Sequence, residues 1–351
     1  MSTEGRLRDD LWIAHKPSGY TSAQAQQWLA KINYPTSNLD AVNLSLETLT
    51  RLVQLSVTTF PFENTAMHYT AGHTMDVSYP ALFDRLVAGG TGAGSWCYGL
   101  NGLFYQMLLA LGFRVYAGAG RINPLPAESD PQFLAFVHMV LFVQPTAGSN
   151  ATFVVDTASA LVRPIPLCDG AEVPGATPTE RFRLRRAARP EASLRTSPDA
   201  IAPAPAEWWL EHIQDAKDTG MPPTTRVMYS FIEDEFFETE RAAGNATVLA
   251  ATGGIFAETV VCSKYFFLTD EEAKSIGQIQ AEQEGPAHAG EHLGKLAMGG
   301  NVVRKHVGLQ TTLVKELENE ADRVDALREC FGIIVLREEV GYMEGRQAAL
   351  K

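Results

Sequence analysis

Cys97 stands where the glycine-rich stretch Gly89-Gly90-Thr91-Gly92-Ala93-Gly94-Ser95 runs into an apolar segment that reads as a helix. A helix N-terminus carries partial positive charge and N–H groups with no acceptor in the helix. Such a position favours a thiolate over a thiol and makes a cysteine reactive. The glycines let a substrate approach the backbone closely. A thiol nucleophile needs a base for its proton, and the base needs an acceptor that orients it. His138 lies inside the apolar run FLAFVHMVLFV, and Asp156 ends the run TFVVD. Taken singly, His138 reads as a hydrogen-bonded core histidine and Asp156 as a strand-end acid. On two adjacent antiparallel strands they lie side by side and face Cys97. That is a Cys–His–Asp arrangement, recognised by roles and not by spacing.

Other signals carry less chemistry. Cys168, Cys262 and Cys330 form no CxxC pair and read as small buried residues, and no metal site is expected. The glycine run does not fit GxGxxG, and His288-Ala-Gly-Glu291-His292 is not HExxH. With 29 basic and 41 acidic residues the net charge is −12, which excludes a general nucleic-acid binder. No apolar run is long enough to span a membrane, and the polar start MSTEGRLRDDLW lacks a signal-peptide core. A cytoplasmic protein without membrane or nucleic-acid partners is expected, monomeric or a weak homo-oligomer.

The elements that must position these residues follow from periodicity. Residues 22–32 and 44–59 read as helices, the first stopped at Asn33-Tyr34-Pro35. Residues 80–88 read as a third. Residues 97–111 read as an amphipathic helix with a stripe of Leu100, Leu103, Phe104, Met107, Leu108 and Leu111. Residues 113–118, 133–143 and 152–162 are rich in β-branched and aromatic residues and read as strands. Farther on, 208–219 reads as a short helix and 255–267 as a strand. Residues 269–297 are helix-prone but broken at Gly285-Pro286. Residues 311–329 read as an amphipathic helix and 331–336 as a last strand. Helices first, then strands, then a mixture predict an α+β protein.

At this level the chain resembles the arylamine N-acetyltransferases. Pro61-Phe62-Glu63-Asn64 follows the second helix, with His68 behind it. Gly94-Ser95-Trp96-Cys97-Tyr98-Gly99-Leu100-Asn101 is similar to the family's Arg-Gly-Gly-aromatic-Cys-x-x-x-Asn motif. Gly112-Phe113, the His138 strand, Val155-Asp156, Tyr229-Ser230-Phe231 and Cys330-Phe331-Gly332-Ile333 follow in the family's order. The resemblance covers roughly residues 22–340. It implies an N-terminal helical bundle carrying Cys97 (21–118, after a polar extension 1–20), a β-barrel-like region with His138 and Asp156 (119–267), and a C-terminal α/β lid (268–351) around a cysteine-protease-like core. It implies a ping-pong N-acyltransferase in which acetyl-CoA or another acyl-CoA acylates Cys97 and a small-molecule amine discharges the thioester. His138 would act as base and Asp156 would orient it. Phe62, Trp96, Phe136, Thr157 and Ala158 would line the acyl-CoA and acceptor site, with no bound cofactor. The basic cluster 181–186 reads as a solvated strand, with CoA phosphates as the alternative.

Several positions depart from the family. Its Arg before the two glycines is Ala93 here, and its second glycine is Ser95. Glu63 therefore needs another cation, and Arg85 stands near in sequence. Gly99 replaces an acidic or amide residue, Leu134-Ala135 replace Thr-Gly before the histidine, and Thr157-Ala158-Ser159-Ala160 replace x-Gly-Phe-Gly. These departures motivate two other readings, an amide synthase with a different acyl donor and a binding homologue with little turnover. A cysteine hydrolase is a weaker fourth.

Overall fold

The computed structural model describes residues 5–127, 129–189, 191–216, 220–276 and 292–350. The first part is helical: α1 (Ser22–Lys31), α2 (Leu46–Thr59), the short α3 (Thr65–His68) and α4 (Tyr79–Leu82), a wide π turn over Phe83–Ala88, and α5 (Cys97–Ala110). Local chemistry sets the starts. Thr21 and Gln24 exchange hydrogen bonds as a capping box, and Ser45 Oγ accepts from Thr48 N at 3.1 Å. α5 differs from the expected amphipathic helix, because every residue from Cys97 to Leu109 is buried. A helix apolar on all sides runs through the core and not along the surface, so the bundle is built around the helix that begins with Cys97.

Among the described residues thirteen strands follow or flank these helices: β1 (Phe62–Glu63), β2 (Arg114–Ile122), β3 (His138–Gln144), β4 (Phe153–Val155), β5 (Ile165–Pro166), β6 (Glu172–Pro174), β7 (Glu180–Ala187), β8 (Glu207–Gln214), β9 (Thr224–Phe231), β10 (Val261–Phe267), β11 (Leu293–Gly299), β12 (Val302–Val307) and β13 (Gln310–Glu316). One antiparallel sheet has the order β5-β4-β3-β2-β9-β8-β7-β6. Val154 on β4 and Phe182 on β7 share one core cluster with Val140, Leu210 and Phe231. Strands near opposite ends of the order thus meet, so the sheet curls into a barrel-like shape. Its other face, through Met139, Leu141 and Val143, packs with α5 in the helical core. The protein is α+β.

The second sheet, β1-β10-β11-β12-β13, joins the two ends of the chain. Strand β10 therefore pairs with the C-terminal strands and not with the barrel-like sheet. Helices α6 (Glu238–Ala250) and α7 (Ile255–Glu258) precede β10, while α8 (Asp270–Ser275) and α9 (Glu320–Ala326) lie after it. Residues 5–20 have one 3-10 turn, Arg8–Asp10, but they are tied down: Ile13 N donates to Gln144 Oε1 at 3.0 Å, and Thr152 N donates to Gly5 O at 2.8 Å.

Four expectations are corrected. The segment 208–219 begins as strand β8, because Trp208 and Leu210 face the barrel core while Glu211 pairs with Arg183 and Arg185 across the strand. Cross-strand partners prevail over local pattern here. The segment 311–329 divides: the β-branched stretch around Thr311, Thr312 and Val314 pairs with β12, and a helix starts only where Asn319 Oδ1 accepts from Asp322 N at 3.1 Å. The first part of 255–267 is α7, not strand. Residues 331–336 form no strand; a π turn over Leu327–Phe331 ends there. The break at Gly285-Pro286, together with His288 and Glu291, lies outside the described residues. Among the described residues no helix is long and apolar enough to cross a membrane.

Candidate active site

Cys97 is the first residue of α5 and is 8% exposed. Its Sγ lies 3.7 Å from the carbonyl of Val137, the residue before β3. β3 opens with His138, which sits opposite Gly120 of β2, so no neighbouring side chain crowds the ring there. Leu141 pairs with Val155, which places Asp156 just past β4 and diagonal to His138 on the same face. His138 Nε2 and Asp156 Oδ2 are 2.7 Å apart, and both residues are buried. The Cys97 thiol is the other polar neighbour acting on the ring.

Asn101, one turn into α5, completes the arrangement. Its Nδ2 donates to Asp156 Oδ1 at 2.8 Å and to Met139 O at 2.7 Å. Its Oδ1 accepts from Thr157 N at 2.8 Å and from Thr157 Oγ1 at 2.9 Å. Residues four apart share a helix face, so one side chain locks the Cys97 helix to β3 and to the Asp156 turn. Ala158 N adds a third hydrogen bond to the carboxylate at 3.0 Å. The Tyr229 ring packs 4.8 Å from His138, and its buried hydroxyl lies beside Asp156 without closing a hydrogen bond.

Burial is the largest influence on His138 and Asp156, and it opposes both charges. Their mutual attraction and hydrogen bond outweigh it, helped by Cys97 for the imidazole and by Asn101 for the carboxylate. His138 is pushed up to about 10, and Asp156 is held below the usual carboxylate range.

The five residues expected to line a substrate site divide in two. Trp96 and Phe62 both pack against Phe256, with ring centroids 5.5 Å and 6.1 Å away, and Trp96 Nε1 donates to Asn245 Oδ1 at 2.8 Å. The Phe136 carbonyl accepts from Tyr98 Oη at 3.2 Å, and its ring carries the Arg121 guanidinium 3.6 Å from the centroid. Trp96, Phe62 and Phe256 of α7 share a core cluster with Cys97, and Phe136 stands one residue before Val137, whose carbonyl meets Cys97 Sγ. Thr157 and Ala158 instead belong to the Asp156 turn: the Thr157 hydroxyl is spent on Asn101, and the Ala158 amide on Asp156.

The motif residues before Cys97 hold the covering segment and the helix start. Asn64 Nδ2 donates to the carbonyls of Phe256 and Thr259, and its Oδ1 accepts from Val261 N at 2.8 Å. His68 Nε2 donates to Phe256 O at 2.9 Å while Arg346 Nε donates to its Nδ1. Burial pushes His68 down to about 4, so it stays neutral. Glu63 is fully buried and accepts from Gly94 N at 2.9 Å and from Thr65 N. Arg85 is the cation whose charge acts on it without direct contact, and Arg85 Nη2 donates to Ser95 Oγ at 2.9 Å. The glycines serve packing and not substrate approach: a Cβ at Gly92 would meet Gly332 O at 1.9 Å, and one at Gly94 would meet Pro61 O at 1.8 Å. Ser95 and Gly99 are complementary departures, since a Cβ at Gly99 would lie 2.0 Å from Ser95 Oγ.

The arginines of 181–186 are paired across strands, Arg181 with Asp215, Arg183 and Arg185 with Glu211, and Arg186 with Glu233. The residues with roles here that spacing alone did not supply are Asn101 and Tyr229. Both stand inside motifs visible in the sequence, but their contacts depend on tertiary register.

A helical bundle against a barrel-like sheet, with thiol, imidazole and carboxylate at their junction, matches known folds end to end. The Mycobacterium marinum arylamine N-acetyltransferase superposes with a TM-score of 0.66 at 22% identity, covering 91% of this chain and 98% of that one. The structure of the same enzyme in complex with CoA gives 0.64 at 22%, covering 92% and 98%. A family model described as N-acetyltransferase matches residues 45–266. The chain is 25% identical to the N-malonyltransferase FDB2 of Fusarium pseudograminearum over 99% of its own length and 98% of that protein's. It is 30% identical to human arylamine N-acetyltransferase 1, over 42% of this chain and 49% of that one. The chain belongs to the arylamine N-acetyltransferase family and is a divergent acyltransferase of it.

Proposed function

We propose that the chain transfers an acyl group from acyl-CoA to an amine through a thioester on Cys97. The observation that carries this reading is the hydrogen-bonded series Asn101–Asp156–His138, with the Cys97 thiol at the carbonyl of Val137, the residue before His138. His138 carries the proton of the Cys97–His138 pair as imidazolium, and Cys97 attacks the thioester carbonyl of the donor as the thiolate of that pair. A helix start leaves N–H groups without an acceptor in the helix, which suits the start of α5 to the developing oxyanion. The intermediate collapses with loss of the CoA thiolate, which receives the proton from His138. A neutral amine then attacks the acyl-Cys97, gives a proton to His138, and leaves as the amide while the Cys97 thiolate re-forms. Asp156 keeps the imidazole oriented and its charge compensated throughout. Phe62, Trp96 and Phe136 supply apolar walls suited to an aromatic amine or hydrazine and an acetyl or related short acyl group.

A malonyl donor is the second reading. It is favoured by the end-to-end similarity to a protein named N-malonyltransferase, against partial coverage of the human acetyltransferase. We place the reaction in the cytoplasm, which suits four cysteines that are all free thiols. Initial rates with acetyl-, propionyl- and malonyl-CoA against an arylamine and a hydrazine test both readings. Parallel double-reciprocal lines are expected for a covalent intermediate. Intersecting lines contradict it, and the donor with the highest kcat/KM decides between the readings.

A further inference from the structure

Strand β10 is only half covered on one side. β11 pairs along its whole length, but β1 reaches only Cys262 and Ser263. Beyond them, Lys264 to Phe267 present an edge that no strand among the described residues occupies. Helix α2 lies beside that edge and leaves a cavity of about 560 Å³.

The lining of this cavity is unusual for the chain. Arg51 reaches it from α2 and Lys264 from β10, while no aspartate or glutamate among the described residues lines it. The Arg51 guanidinium stands 5.2 Å from the Phe267 ring centroid. Lys264 Nζ has one neutral partner, the Phe331 carbonyl at 3.3 Å. Burial, and secondarily the nearby Lys31, hold the Lys264 ammonium below its ordinary range. In a protein with 41 acidic and 29 basic side chains, cations normally find carboxylates, as those of β7 do. Here both cations line one open groove, with Thr58, Thr59 and Phe267 beside them. Desolvated positive charge without a counter-charge is unfavourable, and an anion held by charge-assisted hydrogen bonds relieves it.

We propose that the groove between α2 and the free edge of β10 binds a small organic anion, its phosphate or carboxylate group held by Arg51 and Lys264 and its flat body lying along Phe267. This site is separate from Cys97 and does not depend on the acyltransfer reading.

Isothermal titration of the full chain at low salt, with inorganic pyrophosphate, AMP and benzoate as separate probes, tests it. Saturable one-to-one binding of at least one probe is expected. Response to the first two alone assigns a phosphate ligand, and response to benzoate assigns a carboxylate. Arg51→Gln and Lys264→Gln, checked for unchanged folding by circular dichroism, should each weaken binding by about tenfold or more, the scale of one charge-assisted contact. Lys264→Arg should retain it, and Cys97→Ala should bind as the wild type does. No saturable binding of any probe overturns the proposal. So does binding that both glutamine variants leave unchanged, or binding that disappears in Cys97→Ala.

Discussion

His138 Nε2 lies 2.7 Å from Asp156 Oδ2, while Asn101 holds the other carboxylate oxygen at 2.8 Å from the same helix that presents Cys97. The base is thereby fixed relative to the nucleophile by one amide side chain. Asp156→Asn should lower the rate of Cys97 acylation by about 10²–10⁴-fold with little change in donor binding, as loss of the orienting carboxylate does in other triads. Asn101→Ala should also cost stability, about 1–3 kcal/mol, because it leaves the Thr157 amide and one carboxylate oxygen short of partners. Single-turnover rates and denaturant titration read the two effects. A fast Asp156→Asn enzyme would contradict the assigned role.

The same pair gives stability a pH dependence. The pKa of His138 rises from 6.5 to about 10 on folding, so its contribution is full below about pH 6.5 and is lost as pH climbs through about 10. Asp156 is shifted down, so its contribution is present above the ordinary carboxylate range and is lost in acid. The Tm gap between the wild type and His138→Gln should therefore shrink between pH 6.5 and pH 10. A gap that stays constant over that interval would show that the ring is not held protonated.

Ser95 and Gly99 form a second testable pair. A methyl group at Gly99 would collide with Ser95 Oγ, so Gly99→Ala alone should destabilise by about 1–3 kcal/mol, the usual cost of overpacking. Ser95→Gly in the same chain should recover much of that loss. A double-mutant cycle with no coupling between the two positions would refute the complementarity.

Arg85 is the cation that Glu63 lacks in the local motif. Glu63 is fully buried and Arg85 acts on it through space while bonding Ser95, so losing the guanidinium costs about 1–3 kcal/mol, the scale of leaving a buried polar group short of a partner. Arg85→Met should lose stability on that scale, and Arg85→Met with Glu63→Gln should recover part of it. Urea unfolding of the four variants decides the matter, and additive losses would mean that the two residues do not interact.

Much of the site was legible because its parts sit at element boundaries with strong local signatures. The helix beginning at Cys97 and the run ending at Asp156 announce themselves by composition, while the strand expected over 133–143 begins only at His138. Arg85 could be named as a substitute cation but not placed, since its approach to Glu63 depends on how the π turn over Phe83–Ala88 packs. Two of the misread segments, 208–219 and 311–329, share one cause. Trp208, Leu210 and Leu313 occupy positions where helical and strand patterns overlap, and only their cross-strand partners in β7, β9 and β12 decide. The glycines before Cys97 were ambiguous in the same way, because the backbone they approach, at Gly332 and Pro61, is distant in sequence.

The central claim is that Cys97 becomes acylated with His138 as its base. Intact-protein mass spectrometry after mixing with acetyl-CoA or malonyl-CoA, on the wild type, Cys97→Ala and His138→Gln, tests it most directly. One acyl adduct is expected on the wild type, none on Cys97→Ala, a strongly slowed one on His138→Gln, and loss of the wild-type adduct when an arylamine is added. A folded wild-type protein that takes no adduct from either donor, or an adduct that persists in Cys97→Ala, would contradict the account.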